Sequence, residues 1–157
     1  MSSSEPSLRT VVAADFEDMV ALRIDALRES LERLGRFDPT RARERLAAGF
    51  KPEHMRHIML AGERIGFITL RPDVAAVPPA LHLDHLYIRP TCQGQGCGAW
   101  ALDWAKAQAT GQGRDITLSA LKLSDANRFY LRHGFVQVDA SEFDLDYRWS
   151  HLQGVSV

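Results

Sequence analysis

The chain of 157 residues has few of the features that mark several large protein classes. Its two cysteines, Cys92 and Cys97, are too few for a disulfide-stapled fold or a four-ligand zinc site. No apolar run approaches the roughly 18 residues of a membrane helix. With 19 basic and 20 acidic residues, no excess of positive charge favours nucleic acid. The first ten residues lack the apolar segment of a secretory signal. We therefore expect a cytoplasmic protein with neither a membrane nor a nucleic-acid partner.

The composition fits one globular domain. Hydrophobic residues make up 45% of the chain and charged residues 25%, and a chain of this length can bury a substantial core. We predict one domain over residues 7–152, with a flexible N-terminal tail at 1–6 and a C-terminal tail at 153–157.

The hydrophobic pattern predicts an α+β protein in the order β-α-α-β-β-β-α-β-α-β-β. Period-2 patterns and short β-branched runs predict strands, while apolar spacings of three and four predict helices. Asp15 and Asp38 are candidate helix caps, and Pro39 suits a first helical position. This order of elements favours a mixed, largely antiparallel sheet flanked by helices. The predicted strands are 8–13, 57–61, 65–70, 81–89, 116–121, 135–138 and 143–149, and the helices are 15–35, 38–48, 98–110 and 126–133.

A glycine-rich turn follows the apolar strand at 81–89. Its sequence, Gln93-Gly94-Gln95-Gly96-Cys97-Gly98, has glycines at alternate positions, which allow positive φ and leave backbone N–H groups unshielded. A helix starts there, and a helix start attracts anions through free N–H groups and its dipole. The turn lacks the Lys-Ser or Lys-Thr of a P-loop and the GxGxxG spacing of a dinucleotide loop. A nucleotide-binding function is therefore disfavoured.

Two motifs resemble those of one enzyme family. The Q-x-x-G-x-G string of residues 93–98 resembles the acetyl-CoA pyrophosphate loop of the GCN5-related N-acetyltransferase (GNAT) family. Residues 126–135, ANRFYLRHGF, resemble its A-x-x-F-Y-x-x-x-G-F helix. The resemblance implies the acyl-CoA N-acyltransferase fold and acetyl-CoA as co-substrate. It implies cofactor contacts at Leu86, Tyr87, Ile88, Gln93, Gly94, Gln95, Gly96, Cys97, Gly98, Ala99, Asn127 and Tyr130. We predict no metal because the spacing among four histidines is not that of metal ligands: His54, His57, His133 and His151.

The resemblance also assigns a role to Tyr130. In the family this tyrosine lies near the sulfur of CoA and protonates the leaving thiolate. A phenol with a pKa of roughly 10 can donate to a thiolate whose conjugate acid has a pKa of roughly 8.5. The alternative is that Phe129, Tyr130 and Phe135 are core aromatics.

A catalytic base is needed because only a neutral amine attacks the thioester. Some family members, including the arylalkylamine enzymes, use two histidines on the central strand, and their positions match His82 and Asp84 here. Alternation places both on one face of the strand, opposite His85 and Tyr87. The two side chains would act together as the catalytic base, either directly or as a relay through a water molecule. The alternatives are a structural Asp–His hydrogen bond, or a His82 that is exposed at the start of the strand.

The chain departs from the family pattern at two positions. Leu123 stands seven residues before Tyr130, where many members have an asparagine that contacts CoA. Gln93 stands where arginine is commoner, so the pyrophosphate would depend more on backbone N–H groups and on Arg89 or other basic residues. Cys97, at a helix start, is a candidate nucleophile for a covalent acetyl intermediate. A small packing residue is the alternative that we favour, because Cys97 lies in the pyrophosphate loop.

We therefore expect an N-acetyltransferase that moves the acetyl group of acetyl-CoA directly to a primary amine. The alternative is a non-catalytic acyl-CoA-binding regulatory module on the same fold. The acceptor, a small molecule or a peptide, is not specified by the sequence. Family habit and the aromatic closing strand suggest a homodimer.

Overall fold

A computed structural model describes residues 5–153, and its elements follow the predicted order. The predicted tails lie partly outside this range, at residues 1–4 and 154–157. The helices are α1 Phe16–Arg33, α2 Pro39–Ala48, α3 Cys97–Gln112 and α4 Ala126–Arg132. The strands are β1 Ser7–Thr10, β2 Met55–Leu60, β3 Glu63–Asp73, β4 Ala80–Ile88, β5 Ile116–Leu121, β6 Val136–Ala140 and β7 Asp144–Trp149.

The strands form a seven-stranded sheet in the order β1-β2-β3-β4-β5-β7-β6. The pairs β1–β2, β2–β3, β5–β7 and β6–β7 are antiparallel, while β4 and β5 are parallel. A parallel pair needs a long crossover, and α3 occupies it here. The predicted mixed, largely antiparallel sheet with flanking helices is confirmed.

The described chain groups into two compact units. The first contains residues 5–69 and 85–101, and the second contains residues 70–84 and 102–153. The first therefore holds the helices α1 and α2 and the glycine turn, and the second holds β5, α4, β6 and β7. The single domain expected over residues 7–152 stays a prediction.

The first unit is built around an apolar cluster beneath α1 and α2. Its buried members are Val11, Met19, Val20, Leu22, Leu46, Met55 and Phe67. Arg23 is buried beside this cluster, donates from Nη1 to the Ala42 carbonyl at 2.7 Å, and lies over the Tyr87 ring at 5.6 Å. The helix pair is therefore joined by a buried charged hydrogen bond as well as by apolar packing.

The two expected helix caps differ in the structure. Asp38 caps α2 as predicted, since Oδ1 accepts from the N–H groups of Thr40 at 3.0 Å and Arg41 at 3.2 Å. Asp15 precedes α1 but makes no side-chain cap, so that prediction was wrong. Its carboxylate accepts instead from the Val12 N–H at 2.9 Å and bonds His57 Nε2 at 2.8 Å. A buried imidazole on β2 is the stronger partner for this carboxylate.

The second unit is built on β5 and the two closing strands. Strand β7 pairs with all six residues of β5, from Ile116 with Trp149 to Leu121 with Asp144. Ile116, Leu118, Phe135 and Tyr147 are almost fully buried. Among the helices of residues 5–153, none has the length and apolar character that a membrane crossing requires.

Candidate active site

The turn between β4 and α3 has the backbone that its glycines predict. Gly94 has φ +79° and Gly96 has φ +82°, which side-chain-bearing residues rarely adopt. Helix α3 begins at Cys97, and the Trp100 N–H donates to the Gly96 carbonyl at 2.9 Å. The N–H groups of the residues before Trp100 lie ahead of this first helical hydrogen bond, so they have no acceptor within the helix. Such a helix start offers donors and a positive dipole end to an anion.

Two glutamine side chains brace this turn. Gln93 donates from Nε2 to the carbonyl of Ile88, the last residue of β4, at 2.9 Å. Gln95 donates from Nε2 to the Thr91 carbonyl at 3.4 Å. The amide of Gln93 therefore fastens the turn to the end of the strand that precedes it.

An open pocket of about 870 Å³ lies in the first unit at the end of β4. Its charged lining contains both signs: Asp18, Asp25, Glu63, Arg28, Arg64 and Arg89. Arg89 directly follows β4, and its Nη2 donates to the Arg64 carbonyl at 2.9 Å. Arg89 is thus a positive charge held between the end of β4 and the glycine turn that begins at Gln93.

Cys97 lies inside the protein at the start of α3. It is 2% exposed, and burial raises the pKa of its thiol. A raised thiol pKa opposes thiolate formation, which a nucleophilic cysteine requires. These observations support a packing role and weigh against a covalent acetyl-cysteine.

Strand β4 alternates over residues 81–85 as the sequence predicts. Leu81, Leu83 and His85 are buried, while His82 and Asp84 are half-buried. His85 bonds from Nδ1 to the Thr69 hydroxyl at 3.0 Å and lies 5.8 Å from the Phe67 ring. His85 is therefore part of the core on the face opposite His82.

Asp84 forms its strongest contact with an arginine. Arg71, at the end of β3, donates from Nε to Oδ2 at 2.5 Å and from Nη2 to Oδ1 at 3.3 Å. This two-point contact uses both carboxylate oxygens. His82 Nε2 lies 3.5 Å from Asp84 Oδ1, which is longer than an ordinary hydrogen bond.

The other ring nitrogen of His82 has a close partner. Its Nδ1 lies 2.7 Å from the hydroxyl of Thr117 on β5. Burial lowers the pKa of His82, opposed by the nearby Asp84 carboxylate. An imidazole with a lowered pKa is neutral at neutral pH, so it has a lone pair available to take a proton.

Tyr130 lies in an aromatic cluster on α4 and is 8% exposed. Its ring centroid is 5.3 Å from Phe129, 5.5 Å from Phe135 and 6.4 Å from Tyr147. Tyr130 therefore packs among aromatic rings, as the core-aromatic alternative expects, and its role as an acid stays a prediction.

Asn127 is engaged with the protein itself. Its Nδ2 donates to the carbonyls of Leu121 at 2.8 Å and Ser124 at 2.9 Å, and its Oδ1 accepts from the Tyr147 hydroxyl at 2.8 Å. Both amide hydrogens are therefore used to join β5 to α4. Leu123, where the family pattern has asparagine, has φ +71° and is 78% exposed.

A model of the GNAT acetyltransferase domain matches residues 54–137, more than half of the chain. The chain belongs to the GNAT family of acetyltransferases. It is 31% identical over 143 aligned positions to an aminoalkylphosphonate N-acetyltransferase of Salmonella typhimurium, covering 83% of this chain and 84% of that protein. GNAT membership makes it an acetyl-CoA-dependent acyltransferase, as the sequence predicts.

Solved structures support the fold. A PaiA N-acetyltransferase of Thermoplasma acidophilum in complex with coenzyme A superposes with a TM-score of 0.74 at 16% identity, covering 93% of this chain and 99% of that one. An acetyltransferase of Thermus thermophilus also gives 0.74, at 19% identity, covering 96% and 99%. Both confirm the acyl-CoA N-acyltransferase fold for this GNAT protein.

Two residues of this GNAT site were missed by sequence reasoning. Arg71 and Thr117 contact the predicted pair from neighbouring strands. The only sequence signal for Thr117 was its place on a predicted strand with alternating side chains. That Thr117 lies beside His82 follows from the register of the parallel pair β4–β5, which the sequence does not show. Among residues 5–153, no group of three His, Cys, Asp or Glu side chains could hold a metal ion.

Proposed function

We propose that this GNAT protein transfers the acetyl group of acetyl-CoA directly to the primary amine of a small molecule. The observation that carries the proposal is the positive-φ glycine turn that opens α3, in a chain of this family. The His82 and Tyr130 roles come from the family motifs that these residues match. Residues 7–152 would form the catalytic domain, which we expect to be cytoplasmic and homodimeric.

The turn is the proposed seat of the CoA pyrophosphate. Backbone N–H groups would hold its oxygens, with Arg89 supplying the positive charge that Gln93 lacks. The turn residues in this role are Gln93, Gly94, Gln95, Gly96, Cys97, Gly98 and Ala99. Asn127 is not proposed as a donor to the cofactor, because both of its amide hydrogens are already used.

The end of β4 is the proposed track for the pantetheine arm. Its pairing with β5 consists of Leu81 with Ile116 and His82 with Thr117, at the beginning of β4. Backbone groups of Leu86, Tyr87 and Ile88, further along, would then bond the arm as an added strand does. Their side chains need no special chemistry in this role.

The proposed chemistry has three proton transfers. His82 takes a proton from the acceptor ammonium, and the freed amine nitrogen attacks the thioester carbonyl carbon. The carbon–sulfur bond then breaks, and the Tyr130 hydroxyl gives its proton to the departing thiolate. The acetylated nitrogen still carries one extra proton, which passes through water to the Tyr130 phenolate and leaves the neutral amide. Asp84 supports the positive charge that forms on His82. No covalent intermediate on Cys97 is involved.

His82→Gln and Tyr130→Phe test these roles. We expect kcat to fall about 100-fold in His82→Gln and in Tyr130→Phe, the lower end of the usual contribution of a general acid or base. Thiol release from acetyl-CoA measures the rate, and His54→Gln, a change in the turn before β2, is the control. Unchanged turnover in both variants would remove the assigned roles and leave the family intact.

The proposed acceptor class comes from a relative. The Salmonella protein is named for aminoalkylphosphonates, so we propose a short amine bearing an anionic group as the first acceptor to assay. A panel of aminoalkylphosphonates, amino acids, diamines and peptides separates the classes. Turnover confined to peptides would reject the small-molecule assignment.

A further inference from the structure

The pair predicted as the catalytic base has unequal members in the structure. Arg71 contacts both oxygens of Asp84, at 2.5 and 3.3 Å. Both carboxylate oxygens thus accept from the guanidinium, and a proton placed on either oxygen would replace one of these charge-assisted hydrogen bonds. Arg71 therefore withdraws Asp84 from the role of base.

The Asp84 contact also affects the imidazole next to it. With Oδ1 accepting from Arg71 Nη2, the nearest approach of His82 Nε2 to that oxygen is 3.5 Å. An N–H donor at this distance forms at best a weak bond. The carboxylate thus does not fix a hydrogen on Nε2.

Thr117 acts at the opposite side of the ring. Its hydroxyl oxygen lies 2.7 Å from His82 Nδ1, in the short range for such a bond, and the Thr117 side chain is held on a paired strand. In a neutral imidazole, one nitrogen carries the hydrogen and the other carries the lone pair. The direction of the hydrogen bond between Nδ1 and the Thr117 hydroxyl, which can donate or accept, therefore decides which nitrogen of His82 can accept a proton.

We propose that Thr117 and Arg71 are positioning residues that make His82 Nε2 the base of this enzyme. Thr117 accepts the Nδ1–H of His82, which leaves the lone pair on Nε2. Arg71 holds Asp84 so that this carboxylate does not draw the hydrogen to Nε2. The inference rests on the proposed function, in which His82 is the base, and adds the two residues that select its reactive nitrogen.

The charged groups around His82 come from three strands. Arg71 and Asp73 lie on β3, Asp84 on β4 and Asp146 on β7, and all four influence the imidazole. Asp146 accepts from the Ser119 hydroxyl at 2.5 Å, so it is held on its own partner. Arg71 is the positive charge among these four groups, so the direction in which its removal shifts the pKa of His82 can be predicted.

The tautomer of His82 is the direct test of the Thr117 assignment. Nitrogen-15 NMR of histidine-labelled protein distinguishes a nitrogen that carries hydrogen from one that carries a lone pair. We expect the lone pair on Nε2 in the parent chain and in Thr117→Ser. In Thr117→Val, which removes the hydroxyl at nearly equal volume, we expect the hydrogen to move to Nε2.

Ser119→Ala is the matched control. Ser119 lies two residues along the same strand, and its hydroxyl bonds Asp146 and not His82, so the tautomer should not change. A lone pair on Nδ1 in the parent chain would overturn the proposal. A His82 tautomer unaffected by Thr117→Val would do the same.

The pH dependence of kcat/KM tests Arg71. Arg71→Met removes a positive charge and releases the Asp84 carboxylate, and both raise the pKa of His82, so the acid limb should move to higher pH. Asp84→Asn removes a negative charge, so the limb should move to lower pH. Shifts of the same sign in both variants would contradict the assignment.

The outcomes separate this inference from the proposed function. The tautomer of His82 is measured without turnover, so this result tests the role of Thr117 independently of which amine is the acceptor. Thr117→Val should lower kcat about tenfold with little change in KM for acetyl-CoA, and Thr117→Ser should restore it. If His82→Gln keeps full activity, the proposed base is wrong even where the tautomer result holds.

Discussion

At the scale of single residues, the buried polar contacts of the first unit explain why its sequence carries charge near the core. His57 is 1% exposed on β2, and Asp15 reaches it from the turn before α1. Arg64 donates to the other Asp15 oxygen at 3.3 Å. A buried imidazole with a carboxylate partner is stable because the partner replaces lost water.

Removing this carboxylate should destabilise the protein. We expect Asp15→Ala to lower the free energy of unfolding by about 2 kcal/mol, the usual worth of a hydrogen bond to a charged group. Asp18→Ala is the control, because Asp18 meets the same Arg64 but is 77% exposed, and a loss below about 1 kcal/mol is expected. Urea unfolding measures both, and equal losses would contradict the assignment.

The contribution of Asp15 has a defined pH dependence. The hydrogen bond from His57 is the main cause that lowers the Asp15 pKa below its ordinary value of 3.8. A carboxyl with a lowered folded-state pKa stabilises the protein fully above its unfolded value and loses that effect as pH falls through the folded value. The stability difference between the parent chain and Asp15→Ala should therefore shrink below about pH 4. A difference independent of pH would contradict it.

At the scale of elements, the glycine turn and the strand before it were predictable for different reasons. Alternation over residues 81–85 of β4 marked one buried and one half-buried face, because neighbouring side chains of a strand point to opposite sides. The turn was predictable because glycine alone adopts its positive φ at low cost. By contrast, the capping of α1 was mispredicted, since His57 competes for Asp15 from a distant part of the chain.

The turn gives an element-scale prediction. Gly96→Ala places a side chain at φ +82°, which costs roughly 1 kcal/mol and shifts the backbone donors of the turn. We expect CoA to bind about tenfold more weakly, roughly 1.4 kcal/mol. Isothermal titration with CoA measures this. Gly113→Ala, at φ +66° just beyond α3, is the control and should bind CoA normally. Equal CoA affinity in all three proteins would argue against the turn as the pyrophosphate site.

At the scale of the whole molecule, the order of elements and the sheet class followed from hydrophobic periodicity. The contacts that select the reactive nitrogen did not, because strand pairing brings Thr117 to His82 from 35 residues away. Arg71 was missed for a similar reason, since its carboxylate partner lies on the next strand. Local patterns thus reported the fold and the motifs, and the register of neighbouring strands decided the environment of the catalytic candidates.

The central claim is that this GNAT protein moves an acetyl group from acetyl-CoA to an amine. The most direct measurement is mass spectrometry of products after incubation with isotope-labelled acetyl-CoA and an aminoalkylphosphonate. The account predicts one labelled acetylated amine for each CoA released, with no acetyl group on Cys97. Tight CoA binding without acetylation of any amine in the panel would contradict it and would mark a non-catalytic acyl-CoA-binding module.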